Sequence, residues 1–160
     1  MLGYVLTVER VIPVPPDVIF AVLADPSRHH LIDGSGMVQG AAAGVPERLS
    51  QGVAFGMAMK MLVPYSTLSR VVEFEENRRI AWRTGPEGFA GKIVAGRIWR
   101  YELEPVPDGT LVRESWDITA DHQRVLLKLG DIWSGKTRRD MERTLERLDH
   151  LVTAAAPSGD

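Results

Sequence analysis

The sequence predicts an α+β fold in which an antiparallel sheet lays its apolar face on one long C-terminal helix. Three observations predict it. Between residues 53 and 118 apolar and polar residues alternate with period two, the mark of strands buried on one side. The links between these runs are too short for parallel crossovers, so neighbouring strands must run antiparallel. After Asp121 the period becomes helical, and each layer has an apolar face that only the other can cover.

Residues 3 to 13 are rich in β-branched side chains and read as a strand ending at Pro13. Pro15-Pro16-Asp17 then supplies proline and an acid where the first turn of a helix favours them. Val18, Ile19, Val22 and Leu23 recur at helical spacing until Asp25-Pro26 stops them. A Gly- and Ala-rich stretch from Gly34 to Gly44 holds one candidate short strand around Met37-Val38-Gln39.

Val53, Phe55, Met57, Met59 and Met61 share one face of the next predicted strand, which Pro64 breaks. Leu68 to Phe74 and Ile80 to Arg83 read as two further strands, followed by a loop from Gly85 to Gly91. Arg97 to Glu104 alternates again, with Trp99, Tyr101 and Leu103 on one face. Pro105-Val106-Pro107-Asp108-Gly109 is a turn, and Thr110 to Ile118 is the returning strand. In the last region Leu126, Leu129, Trp133, Met141, Leu145, Leu148 and Val152 fall on one broad helical face. Gly130 and Ser134-Gly135 predict a kink before a final helix from about 135 to 154. Residues 1–154 read as a single domain and 155–160 as a disordered tail.

Composition narrows the function classes. With no cysteine, disulfides, thiolate nucleophiles, iron–sulfur clusters and Cys-type zinc sites are excluded. A balance of 19 Lys+Arg against 21 Asp+Glu argues against a nucleic-acid binder. The first ten residues have no basic n-region of a signal peptide, and no apolar run reaches the roughly 18 residues of a membrane span. The expectation is a soluble cytoplasmic protein without stable membrane insertion.

Glu114 is the most informative polar residue, because strand parity places it with Val112, Trp116 and Ile118. A carboxyl there must be paired, hydrogen-bonded or protonated. Arg70 shares parity with Leu68, Val72 and Phe74 and is a candidate partner. Together they are polar anchors of a ligand pocket or a structural ion pair, unless a bulge turns one outward. The Met57, Met59, Met61 stripe suits either an adaptable apolar cavity or a gap-filling core. His29 or His30 can meet a ligand or act as a base, or the pair is a solvated loop; His122 reads as belonging to the start of the last helical region and His150 to its surface.

No histidine–carboxylate spacing points to a metal. Gly130-Asp131-Ile132-Trp133-Ser134-Gly135-Lys136-Thr137 fits the phosphate-loop pattern. That motif needs a parallel sheet and a downstream magnesium-binding acid, and the remaining residues make only one helix, so the glycines read as a kink. There is no G-x-S-x-G. The Lys136–Arg139 basic run, with acids beside it, reads as a solvated helix face.

A set of segments also resembles a known family. They are Ile12-Pro13-Val14-Pro15-Pro16 with Val18 and Phe20, then Ala24-Asp25-Pro26-Ser27-Arg28-His29-His30. Trp82 follows, then Trp99-Arg100-Tyr101-Glu102-Leu103-Glu104-Pro105, Thr110-Leu111-Val112-Arg113-Glu114-Ser115, and Met141 to Leu148. In this order they resemble the SRPBCC or START-like helix-grip superfamily, of the polyketide cyclase/dehydrase type. The resemblance implies a curved seven-stranded antiparallel sheet gripping the C-terminal helix, short helices after the first strand, and an apolar cavity. Family members bind lipids, sterols, polyketides or other hydrophobic molecules, and a few catalyse cyclisation or dehydration. Where many members carry Pro and Trp after the Asp-Pro pair, this chain has His30-Leu31-Ile32-Asp33.

The expected ligand site therefore comprises Phe55, Met57, Met59, Trp82, Trp99, Tyr101 and Trp116 as apolar wall, with Arg70 and Glu114 as orienting groups. The expected partner is a hydrophobic or aromatic small molecule, with no nucleic acid, cofactor or metal, and the protein a monomer or homodimer. The alternative is a polyketide cyclase or dehydratase using Glu114 or His30 as general acid/base. A third reading is an interaction module whose cavity is only structural.

Overall fold

The computed structural model describes residues 4–86 and 96–155. Most of the Gly85–Gly91 loop and the tail from 156 lie outside them. The order is β1 (Val5–Ile12), α1 (Pro16–Leu23), a 3-10 turn (Pro26–Arg28), α2 (His29–Ile32), β2 (Val38–Ala41), β3 (Ala54–Lys60), β4 (Pro64–Glu75), β5 (Arg79–Pro86), β6 (Arg97–Val106), β7 (Gly109–Asp117), α3 (Arg124–Ser134) and α4 (Lys136–Ala155). Every paired strand is antiparallel, in the order β1-β7-β6-β5-β4-β3-β2.

Local chemistry sets the N-terminal turns. Pro16 opens α1, where an amide hydrogen would go unbonded anyway, and Asp17 sits in its first turn. The Asp25 carboxylate then accepts from the Ser27 amide at 3.0 Å, capping the turn that leads into α2. The one long helix buried on the sheet is α4, through Met141, Leu145, Leu148 and Val152. It meets β1 and α2 most closely, closing the concave side of the sheet. No helix among the described residues is long and apolar enough to cross a membrane.

Three sequence expectations change here. In β4 Val71 pairs with Trp82 but Glu73 with Ala81, so Val72 is an extra, bulged residue. Before the bulge Ser69 and Val71 face inward, and after it Phe74 does, packing edge-on to Phe20. Parity counted back from Phe74 is therefore wrong by one. Arg70 stands exposed on the outer surface, donating to the Gly52 carbonyl at 2.6 Å. Met61 lies past the end of β3 and is 66% exposed, so the methionine stripe stops at Met59.

The third change concerns the broad helical face. Gly135, at φ 57°, ends α3 in the left-handed conformation. This separates two helices whose apolar stripes are not continuous. The α4 stripe is buried, whereas Leu126 and Trp133 on α3 are 71% and 87% exposed. The segment before Lys136 is helix, not strand, and Lys136 is ion-paired to Asp140, so the phosphate-loop pattern has neither its architecture nor its free lysine.

Gly34 fastens the link after α2 to α4. Its amide donates to the Thr144 hydroxyl at 2.9 Å, and its carbonyl accepts from Arg143 at 3.0 Å. A Cβ there would lie 2.2 Å from the Asp140 carbonyl oxygen. Gly34→Ala is expected to lower the unfolding free energy by about 1–3 kcal/mol, as overpacking does; urea denaturation checks this.

Candidate functional site

A cavity of about 410 Å³ lies between the concave face of the sheet, α2 and α4. Strand alternation supplies its walls. From β3 come Phe55, Met57 and Met59, from β5 Trp82, from β6 Trp99 and Tyr101, and from β7 Glu114 and Trp116. The helices add His29, Ile32, Met141 and Thr144. Its aromatic rings form two groups, His29, Phe55, Trp82 and Tyr101 in one and Trp99 with Trp116 in the other. His29 stacks on Trp82 at 4.9 Å, Trp82 meets Tyr101 at 5.6 Å, and Trp99 lies 6.2 Å from Trp116.

Glu114 is the polar centre. It is 2% exposed, and antiparallel pairing puts it directly opposite Tyr101. The Tyr101 hydroxyl donates to Glu114 Oε1 at 3.0 Å, while Oε2 has no hydrogen-bond partner among the described residues. Burial, against the smaller opposing effect of the Tyr101 hydrogen bond, pushes the carboxyl up to about 8, with the Asp33 charge adding to the rise. Tyr101 is itself held well above its ordinary range, by burial first and by Glu114 second. At neutral pH Glu114 is thus a carboxylic acid with a proton to offer. It can donate a hydrogen bond or protonate a bound group.

His29 is buried, and burial lowers its pKa, outweighing the Leu23 carbonyl. Its Nε2 lies 2.8 Å from that carbonyl, at the end of α1. The neutral ring therefore carries its proton on Nε2 and leaves Nδ1 as an acceptor. Ser69 and Thr84 form a hydroxyl pair at 2.8 Å on the sheet wall. At the rim Arg97 is paired to the buried Asp121 at 3.1 Å.

Eight of the nine residues expected at the ligand site border this cavity, namely Phe55, Met57, Met59, Trp82, Trp99, Tyr101, Glu114 and Trp116. Arg70 does not, and the Arg70–Glu114 pair does not form; Tyr101 takes its place. His30 is exposed, because consecutive helical residues point about 100° apart and α2 turns His29 inward instead. Sequence reasoning missed Ser69 through the bulge in β4, Thr84 because β5 runs on to Pro86 past the expected end at Arg83, and Thr144 because its helix position gave no chemical signal. Among the described residues no three His, Asp or Glu side chains are grouped to hold a metal. A second depression of about 490 Å³ between β1 and α4 is lined almost entirely by charged side chains, Glu9, Arg10 and Arg139 among them, and lacks an apolar wall.

Comparison with known proteins agrees with this architecture. A segment of 108 residues is 36% identical to the uncharacterized protein Rv0088 of Mycobacterium tuberculosis, covering 66% of this chain and 44% of that protein. The chain thus spans less than half the length of that relative. Among solved structures, NE0264 of Nitrosomonas europaea superposes with a TM-score of 0.69 at 16% identity, covering 94% of this chain and 95% of that one. The polyketide-cyclase-like protein Cgl2372 of Corynebacterium glutamicum gives a TM-score of 0.61 at 20% identity, covering 96% and 94%. These identities establish the fold alone. The model of the polyketide cyclase/dehydrase and lipid transport family matches residues 5–153. The chain belongs to that family, within the START-like helix-grip superfamily.

Proposed function

We propose that the protein binds a hydrophobic or aromatic small molecule in the cavity between the sheet and α4. The observation that carries this reading is the site's composition. Aromatic and methionine side chains enclose about 410 Å³ around a single buried acid, and that volume lies in the range of small-molecule sites. Methionines and aromatics give such a wall shape without demanding one charge pattern. Native mass spectrometry of freshly purified protein should show a co-purifying apolar compound. An empty protein that also fails to take up fatty acids or aromatic dyes would overturn the reading.

A second reading, polyketide cyclisation or dehydration, is favoured by one observation, the buried Glu114 carboxyl whose Oε2 has no partner among the described residues and whose pKa burial pushes up to about 8. A buried acid of this kind can deliver its proton to a carbonyl or hydroxyl oxygen. If the protein turns over such a substrate, Glu114→Gln should abolish turnover while leaving affinity within about threefold. Unchanged turnover would remove Glu114 from the chemistry.

A further inference from the structure

The polar atoms facing the cavity are specific enough to describe one end of the ligand. Glu114 Oε1 already accepts from Tyr101, so the free valence at the centre of the wall is Oε2, fully buried and unpartnered among the described residues. The charged and titratable groups around it are few. Tyr101 comes from β6, Tyr65 from β4, His29 from α2 and Asp33 from the end of α2. Of the rim groups, Arg97 is occupied by Asp121, and Lys136 of α4 by Asp140. From β1, Val8 stands opposite Glu114 and is apolar.

Resting on the binding reading above, we propose that the ligand is uncharged and ends in a hydrogen-bond-accepting oxygen, a ketone, ester or ether, that takes the hydrogen bond of the Glu114 carboxyl. A carboxylate in that place would meet the Asp33 charge, and among the described residues lining the cavity no cation stands free to balance it. An amine would require two charges to be desolvated against aromatic walls, where one neutral hydrogen bond satisfies the same oxygen. A plain hydrocarbon would leave the acid unpartnered.

Four naphthalenes of similar shape test this, carrying an acetyl, ethyl, carboxylate or aminomethyl group. Binding is read from the fluorescence of the cavity tryptophans, with circular dichroism confirming the fold at each pH. The acetyl compound should bind at least about tenfold more tightly than the ethyl and carboxylate compounds at pH 7. Its affinity should fall about tenfold from pH 7 to pH 9, as the carboxyl loses the proton it donates. Glu114→Gln, whose amide still donates, should keep acetyl binding and lose the pH dependence. Equal binding of the acetyl and ethyl compounds would overturn the inference and leave apolar binding standing. Preference for the aminomethyl compound, rising as Glu114 ionises, would overturn it in favour of a cationic ligand. If none of the four binds, the cavity reading falls and takes this inference with it.

Discussion

Between pH 6.5 and pH 8 the wild-type protein is expected to lose unfolding free energy at up to about 1.4 kcal/mol per pH unit, roughly 1.5 kcal/mol in all, and Glu114→Gln to lose none of it. Glu114 holds its proton in the folded protein up to about 8, whereas the unfolded chain releases it near 4.5. Across that interval the native state binds one proton more, so rising pH favours unfolding. The stabilisation is complete below 4.5 and gone once pH has passed through about 8. His29 acts in the opposite direction. Its folded pKa lies below the ordinary 6.5, so below that value the unfolded chain binds the extra proton and stability falls with falling pH. Below about 6.5 the His29 slope opposes that of Glu114 and flattens the curve, leaving the descending limb on the alkaline side. Urea titrations at a series of pH values check this; a limb that survives in Glu114→Gln belongs to another group.

Phe20→Ala is expected to cost about 3–5 kcal/mol and to lower the melting temperature by roughly 6–20 °C. Phe20 is wholly buried, packed edge-on against Phe74 at 5.5 Å with the Arg48 guanidinium over its ring. Its removal opens a void that neighbouring backbone cannot fill. Met59→Ala should cost about 1 kcal/mol or less, because Met59 is half-buried on the cavity wall and its loss widens a space that already exists. Thermal melts of the two variants side by side separate filled core from hollow core. Comparable losses would mean that Met59 is packed as tightly as Phe20.

These contrasts also show what the sequence could carry. Glu114 was legible because β7 runs without a bulge, so parity counted from Val112 to Ile118 holds at every step. Arg70 was not, since Val72 shifts the phase of β4 and no residue type there announces a bulge. His29 and His30 were seen as a pair. Which one turns inward depends on the rotation of a four-residue helix, set by packing rather than by composition. The apolar residues of α3 and α4 have one period, and only the left-handed turn at Gly135 shows that they do not share one face. Alternation revealed the layers and the acid in the wall. Long-range pairing decided which polar groups meet.

The place of β1 beside β7 has a consequence for how the chain folds. The strands from β2 to β7 pair with their sequence neighbours and can form as successive hairpins, whereas Val5 must find Asp117. During synthesis at about 5–20 residues per second, β1 waits roughly 5–20 s for its partner to emerge. Throughout that interval Leu6, Val8 and Ile12, all core residues of the finished protein, have no β7 beside them. The slowest and most aggregation-exposed step of folding is therefore the closure of the first strand onto the last, and agents that shield an apolar nascent segment should raise the yield of folded protein most when they act on the N-terminal residues.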